Sequence, residues 1–435
     1  MGARAPVPQL DRGAVYETDS CGFKSRRARQ FFCALLFGRA LLYQGGRLVD
    51  HDVDVIIVGS GPAGLSTGLH LAKLAPELAK RTLILERERH PRPKLCAGGL
   101  MPGGEAWLKN LGLDLSDVPS VDVHEAHFLF EARGFIVRRA PYVFRVVRRA
   151  EFDAWLAGAA RARGLALQEN TLVRKVRCLE DAVEVDTDRG LYRARAVVGA
   201  DGSTSVVRRS VVPRHRRAPQ VSRLLEILIP ADCQSSTDLR VDEGRALLDF
   251  SSMADGVQGY VWDFPTQVQR RPMRTQGVFD SRICARAPRA SLKAALRETL
   301  VHLGVVLDHH EVKGHPLRWF HPRAVFSSPG VLLVGDAAGV DPLLGEGINF
   351  ALGYGEVAAR ELQDAFTRDE FSFEGYRDRV LRHRIGRFLR WRTTVAWLVY
   401  RIRSPRLLRF LWWRFGPAVG RLAERFLVDW GDWAR

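Results

Sequence analysis

Four consecutive apolar residues, Val55-Ile56-Ile57-Val58, run straight into Gly59-Ser60-Gly61-Pro62-Ala63-Gly64. An apolar run of this kind reads as a strand covered on both faces, as in a parallel sheet. Glycines at 59, 61 and 64 permit a tight turn, close approach of a pyrophosphate to the backbone, and close helix–strand packing. Leu65 to Ala75 then supplies a helix whose partly positive N-terminal end faces the phosphates. A second apolar strand, Thr82-Leu83-Ile84-Leu85, ends in Glu86, at the spacing of the acid that binds a ribose hydroxyl. Glycines alone are a weak signal. Strand, turn, helix, strand and acid in this order define a dinucleotide-binding unit.

The 435 residues are enough for two or three ordinary domains or one large enzyme. With 66 Lys and Arg against 49 Asp and Glu the net charge is +17, but the excess is local. Between Tyr376 and Arg435 fifteen Arg face four acids, a balance of +11, and six of the ten Trp lie there too. Cys21, Cys33, Cys96, Cys178, Cys233 and Cys284 have neither metal-like nor disulfide-like spacing, so no metal site and a reducing compartment are expected. In residues 1–50, Lys24 to Arg29 followed by Phe31 to Phe37 has the outline of a signal peptide. Arg39 interrupts the run and no small-residue cleavage site follows. The segment reads as a non-catalytic extension: disordered, a membrane-surface helix, or absent from the mature protein.

Further along, Pro91 to Leu100 is a loop by its Pro and Gly content, and its small residues allow a flat ligand close to the backbone. Cys96 lies in that loop, either as an inert small hydrophobe or as a reactive thiol. Residues 121–147 carry β-formers, which suggests a second domain woven through the first. Arg149 opens a helix with its apolar face at Phe152 and Leu156, where its charge opposes the helix dipole. It has an anionic or carbonyl partner, or it is solvated. Asp201 follows an apolar strand directly, a ligand-binding position in α/β proteins, and Ser203 and Ser205 suit helix caps. In Gly259-Tyr260-Val261-Trp262-Asp263-Phe264-Pro265, alternation puts three aromatics on one face, as core or as a cavity wall. Val331 to Val334 is another strand, ending in Gly335-Asp336-Ala337-Ala338-Gly339; after it Gly345-Glu346-Gly347 opens a helix from Ile348 to about Ala365.

With these segments together, the chain resembles the FAD-dependent geranylgeranyl reductase family, within the flavoproteins that include para-hydroxybenzoate hydroxylase. The likeness runs through about residues 52–380 by order of motifs. It implies an α/β fold: a Rossmann-like FAD-binding domain over 51–375, an interleaved β-rich substrate domain (about 110–147 and 215–320), and a helical C-terminal segment, 376–435. Gly59, Gly61, Pro62, Ala63, Gly64 and Glu86 match the pyrophosphate and ribose site. Arg149 matches a cofactor-contacting Arg of an Arg-x-x-Phe-Asp helix, Val173 the adenine neighbour, and Asp201 an Asp-Gly motif near the pyrophosphate. Gly335 and Asp336 match the ribitol site, and Gly345, Gly347 and Ile348 the turn at the flavin ring. Lys94-Leu95-Cys96-Ala97-Gly98-Gly99 is similar to the Lys-Pro-Cys-Gly-Gly loop beside the flavin. The aromatic strand is similar to a Tyr-x-Trp-x-Phe-Pro signature lining the substrate cavity.

The resemblance implies reduction of C=C bonds in a long isoprenoid chain, with Cys96, Tyr260 and Trp262 as the candidate catalytic residues and NADPH or another reductant as electron donor. Leu95, Ala97 and Thr266 depart from the pattern, the last standing where a Lys commonly follows Phe-Pro. Gly339 in place of the hydroxylases' His, and the lack of a Trp-x-Trp-x-Ile-Pro signature, point away from hydroxylases and halogenases. A monooxygenase of an aromatic or polyene, and a non-catalytic membrane-associated binding protein, are the alternatives. The tail interleaves Arg with Leu, Phe and Trp without a run long enough to span a bilayer. It reads either as an interfacial segment or as helices packed on the core with a solvated Arg face. No nucleic-acid partner is expected, and the expected location is cytoplasmic or peripheral at the inner face of a membrane.

Overall fold

A computed structural model describes residues 41–44, 47–50, 53–213, 221–231, 244–284 and 289–423. The basic and apolar run 24–37, three of the cysteines and residues 424–435 lie outside them. Val55–Val58 is fully covered and sits inside a six-stranded sheet. The order is Ala166–Gln168, Thr82–Leu85, Val55–Val58, Ala196–Gly199, Val331–Leu333, Ser327–Ser328. Its first five strands are parallel and the last is antiparallel. Each buried Val, Ile or Leu here contributes on the order of 1.5–3 kcal/mol.

Helix α1 (Pro62–Leu74) begins at the Pro, three residues earlier than the periodicity places it, because Pro is preorganised for the first helical position. Helix α2 spans Arg149–Ala162 and helix α3 spans Ile348–Arg368; α1 packs on both. The α1–α3 approach is close. Ser66 Oγ donates to Leu352 O at 2.6 Å, and a Cβ on Gly355 would stand 2.3 Å from that Oγ.

The interleaved domain is a seven-stranded sheet ordered Lys313–Arg318, Val221–Pro230, Arg271–Asp280, Gly259–Val268, Arg245–Asp249, Glu125–Phe130, Arg133–Arg138. Alternation divides its two faces. Tyr260, Trp262, Phe264 and Phe279 join the main core, whereas Val261, Val278, Ile227 and Ile229 pack with the helix Leu292–His302 in a second core. A smaller five-stranded sheet ends in Leu41–Gln44 and Arg47–Asp50, so two short segments of the N-terminal extension pair as antiparallel strands.

Helix α4 (Arg384–Val399) buries Ile385, Leu389, Arg392 and Ala396, one stripe at helical spacing. After it, Leu408 and Trp412 turn inward, and Gly416 and Gly420 let the last helix lie against Phe135. The helices pack on the core, while other apolar side chains of the same segment stay exposed.

Gly355→Ala is expected to destabilise the fold by about 1–3 kcal/mol through overpacking of the α1–α3 contact. Urea unfolding of the variant beside wild type reads the difference.

Candidate active site

A single cavity of about 410 Å³ runs from the glycine turn to the aromatic face of the seven-stranded sheet. At the glycine turn, Gly59 has φ +102° and a Cβ there would meet Ala200 O at 2.6 Å; one on Gly64 would meet Gly59 O at 2.0 Å. Gly61 is different. A Cβ there would point at two guanidinium groups, Arg92 Nη2 at 3.7 Å and Arg149 Nη2 at 3.8 Å. The position of Arg149 is explained by Asp153, one turn on, which accepts from Nε and Nη2 at 2.8 Å each. The Arg149 side chain is therefore nearly buried, not solvated.

Arg92 reaches Glu86 Oε2 and Asp153 Oδ2 at 3.4 Å, and its buried Nε has no hydrogen-bond partner. Glu86 accepts from Ser60 N at 2.9 Å and Ser60 Oγ at 2.7 Å. Burial alone would raise its pKa, but the Arg92 charge and the Ser60 bonds hold it below the usual carboxylate value. Two converging guanidinium groups at Gly61 and a helix N-terminus make a site for a pyrophosphate. An ionised carboxylate beside it suits a ribose hydroxyl. The residues fit the nucleotide part of FAD.

Val173 lines the same end of the cavity. Asp201 also lines it, yet its carboxylate accepts from Ser205 Oγ, Val206 N and Val207 N, so both oxygens are spent on the next helix. Ser205 is a cap, accepting from Arg208 N at 2.8 Å. Ser203 is not: its hydroxyl donates to Asp336 Oδ2 at 3.0 Å. Gly335 has φ +56°, which folds the strand end into the turn carrying Asp336. Gly347 leaves open the space 3.7 Å from Asp336 Oδ1, and Gly345 lies against the Phe279 ring. The half-buried Asp336 carboxylate thus faces the cavity with one oxygen free for a polyol chain.

Lys94 Nζ donates to Nε2 of His315, 2.5 Å away on the edge strand Lys313–Arg318. Burial pulls Lys94 down to about 8, against the attraction of Asp336. Burial and the Lys94 charge push His315 to about 4, so it is a neutral acceptor. Cys96 and Ala97 line the cavity beside this pair; Cys96 Sγ accepts from Gly98 N at 3.4 Å. Glu226, a nearly buried acid, lines the cavity with Cys96, and burial raises its pKa despite Arg148 at 3.8 Å.

Beyond Cys96 the cavity is apolar, walled by Phe128, Leu248, Tyr260, Trp262, Phe264 and Phe279. Tyr260 Oη donates to Leu344 O at 2.6 Å, and burial raises the phenol far above its usual value. It therefore ties the aromatic strand to the turn at Gly345 and gives up no proton. Trp262 Nε1 is buried without a partner, and the strand opposite is bare at Gly277, where a Cβ would be 2.3 Å from the indole.

Behind the Gly345 turn sits a triad: Arg392 of α4, fully buried, donates to Asp341 Oδ2 and Glu346 Oε1 at 2.8 Å each. Burial raises Glu346 to about 7, against the pull of Arg392 and with a further push from Asp341. Asn349 Nδ2 donates to its other oxygen at 3.2 Å.

Sequence reasoning missed Arg92, Glu226, His315 and Arg392. Arg92 carried a signal, a charge between two prolines at the mouth of a small-residue loop. The other three sit on strands or helices with nothing local to mark them. Among the described residues no cluster of three or more His, Cys, Asp or Glu could hold a metal ion.

This fold and donor set define a flavin-dinucleotide-binding oxidoreductase. The FAD binding domain family matches residues 52–368, and the chain belongs to it. It is similar to a digeranylgeranylglycerophospholipid reductase of Methanopyrus kandleri, 29% identical over 356 residues covering 75% of this chain and 82% of that one. A menaquinone reductase of Mycolicibacterium smegmatis is 26% identical over 328 residues, covering 70% of this chain and 75% of that one. In fold it resembles a geranylgeranyl bacteriochlorophyll reductase-like protein of Thermoplasma acidophilum, with a TM-score of 0.68 and 22% identity. That match covers 83% of this chain and 91% of that one.

Arg149→Leu removes one of the two guanidinium groups at Gly61 and leaves Asp153 with Arg92 alone. FAD affinity, read by quenching of flavin fluorescence, is expected to fall tenfold or more. Glu346 has a second consequence. Its folded pKa is raised, so the folded chain keeps a proton that the unfolded chain releases. The associated stability is present below pH 4.5 and is lost as pH rises towards about 7. Melting temperatures across pH 4.5–7 should therefore fall less steeply with rising pH in Glu346→Gln than in wild type.

Proposed function

We propose that this oxidoreductase reduces carbon–carbon double bonds of a long isoprenoid chain. The observation that carries the reading is the continuity of the cavity: a nucleotide-binding end, a polar junction at Lys94, Cys96 and Glu226, then an aromatic apolar chamber. Support also comes from relatives named for geranylgeranyl lipids and for menaquinone, both of which carry such chains. FAD, once bound and reduced, supplies the hydride.

The protein's own part is to hold and to protonate. Phe128, Trp262, Phe264 and Phe279 exclude water from an unfunctionalised alkene and fix it by contact area rather than by hydrogen bonds. Tyr260 keeps the chamber wall in register with the turn at Gly345. Cys96 positions the loop through its Sγ contact with Gly98 N. Glu226, at the junction of the cavity, is the group placed to supply the proton: burial raises its pKa above the usual carboxylate value, which favours proton donation from Oε to the second alkene carbon. With Thr266 buried and outside the cavity lining, the strand places no cation there for an anionic head group. The favoured substrate class is a chain on a neutral or distant head, such as a quinone or a glycerolipid.

Anaerobic photoreduction followed by spectral reoxidation with a panel of prenylated quinones and geranylgeranyl lipids tests the reading. Reoxidation without oxygen, with a product two hydrogens heavier, is the expected result. Reoxidation by oxygen alone, with an oxygen atom in the product, replaces the reading with a monooxygenase. Glu226→Gln should lower single-turnover reoxidation by about a hundredfold or more with flavin content unchanged.

A further inference from the structure

Eleven large hydrophobic residues are exposed among the described residues, and six of them fall between positions 397 and 415: Trp397, Leu398, Leu407, Phe410, Trp413 and Phe415. These are not loose ends. Leu408 and Trp412 anchor the same segment in the core, so the outward side chains are held at the surface by the inward ones. Trp413 donates its indole N–H to Phe130 O at 2.9 Å, Phe410 and Phe415 meet edge to face at 5.0 Å, and Arg409 pairs with Glu131 at 2.7 Å. A rigid apolar face of this size calls for a partner.

Charge says which. From Arg384 to Arg421 the chain has ten Arg and no Asp or Glu. Arg401, Arg403, Arg406 and Arg414 are exposed around the apolar side chains, and Arg401 stacks over Trp397 at 4.2 Å. Apolar side chains with Trp among them, set within Arg and free of acids, match an anionic bilayer: acyl boundary for the first, headgroup phosphates for the second. No described helix is long and apolar enough to cross a membrane, so contact is with one leaflet.

We propose that the face formed by residues 397–415 docks on the surface of an anionic lipid bilayer. The segment also abuts the apolar chamber. Trp412 packs on Phe250 at 5.3 Å, Phe250 on Tyr260 at 5.3 Å, and Tyr260 lines the cavity. Two rings, Trp412 and Phe250, separate the docked face from the cavity wall at Tyr260. Taken with the proposed function, on which this last step rests, docking brings a membrane-borne isoprenoid to the chamber without exposing it to water.

The test is flotation of the full-length FAD-loaded protein with phosphatidylglycerol–phosphatidylcholine vesicles and with phosphatidylcholine vesicles alone, at low and high salt. Binding to the anionic vesicles alone, weakened by salt, is expected. Arg403→Gln with Arg406→Gln should weaken it about twenty-five-fold, near fivefold for each Arg. Leu407→Ser with Phe410→Ser should abolish it, with the melting temperature and the reoxidation rate by detergent-dispersed substrate unchanged. That rate reports the reductase reading separately, so either reading can fail alone. No flotation, or flotation indifferent to the Leu407 and Phe410 changes, overturns the proposal. So does tighter binding to an RNA oligonucleotide that the Arg changes remove and the apolar changes do not, which would assign the face to nucleic acid.

Discussion

Missing side chains let the two helices at the centre of this molecule touch. Helix α1 carries the phosphate-binding turn and α3 starts at the turn expected beneath a flavin ring, and the two are almost three hundred residues apart in the chain. Their contact depends on Gly355 facing Ser66, with a hydroxyl-to-carbonyl bond where a side chain would otherwise stand. Gly335 repeats the device: a Cβ there would stand 2.7 Å from Ala63 Cβ. Without these clearances the glycine turn, Asp336 and the Gly345 turn could not open into one cavity.

Along that cavity, polarity changes in one direction. The nucleotide end concentrates charge that is already partly neutralised: Arg149 by Asp153, Arg92 by Glu86 and Asp153. A buried ion costs several kcal/mol unless paired, so these arginines hold their places without ligand and keep some capacity for one. At the junction the titratable groups are shifted towards neutrality, His315 and Lys94 downwards and Glu226 upwards, and burial is the largest cause in each. In the chamber nothing is charged. Under the proposed function, that gradient keeps the anchoring charge away from the alkene and water out of its chamber.

Much of this was legible in the residues. The VIIV strand, the glycine turn, Glu86, the aromatic alternation at 260–264 and the Gly-Asp turn at 335–336 are local patterns whose physics is local. Period 2 alone assigned Tyr260, Trp262 and Phe264 to one face, and they line one wall. What the sequence could not reveal was long-range. His315 meets Lys94 across 221 positions, and Arg392 meets Glu346 from a helix whose composition suggests only a basic surface. Ser203 was legible as a cap, but tertiary contact gave it Asp336 instead. The tail was hardest to read, because packing and exposure alternate within it residue by residue.

The triad behind the flavin turn has an implication for how the chain is made. Asp341 and Glu346 emerge from the ribosome well before Arg392, the cation that offsets them 51 and 46 positions later. At roughly 5–20 residues per second, the interval is a few seconds. During it the two acids lack the cation that offsets their burial, and Glu346 is held towards its protonated form more strongly than in the finished fold. Helix α4 therefore acts as a late fastener. The floor of the cavity at the Gly345 turn thus leans on a helix that lies downstream of both large sheets in the chain.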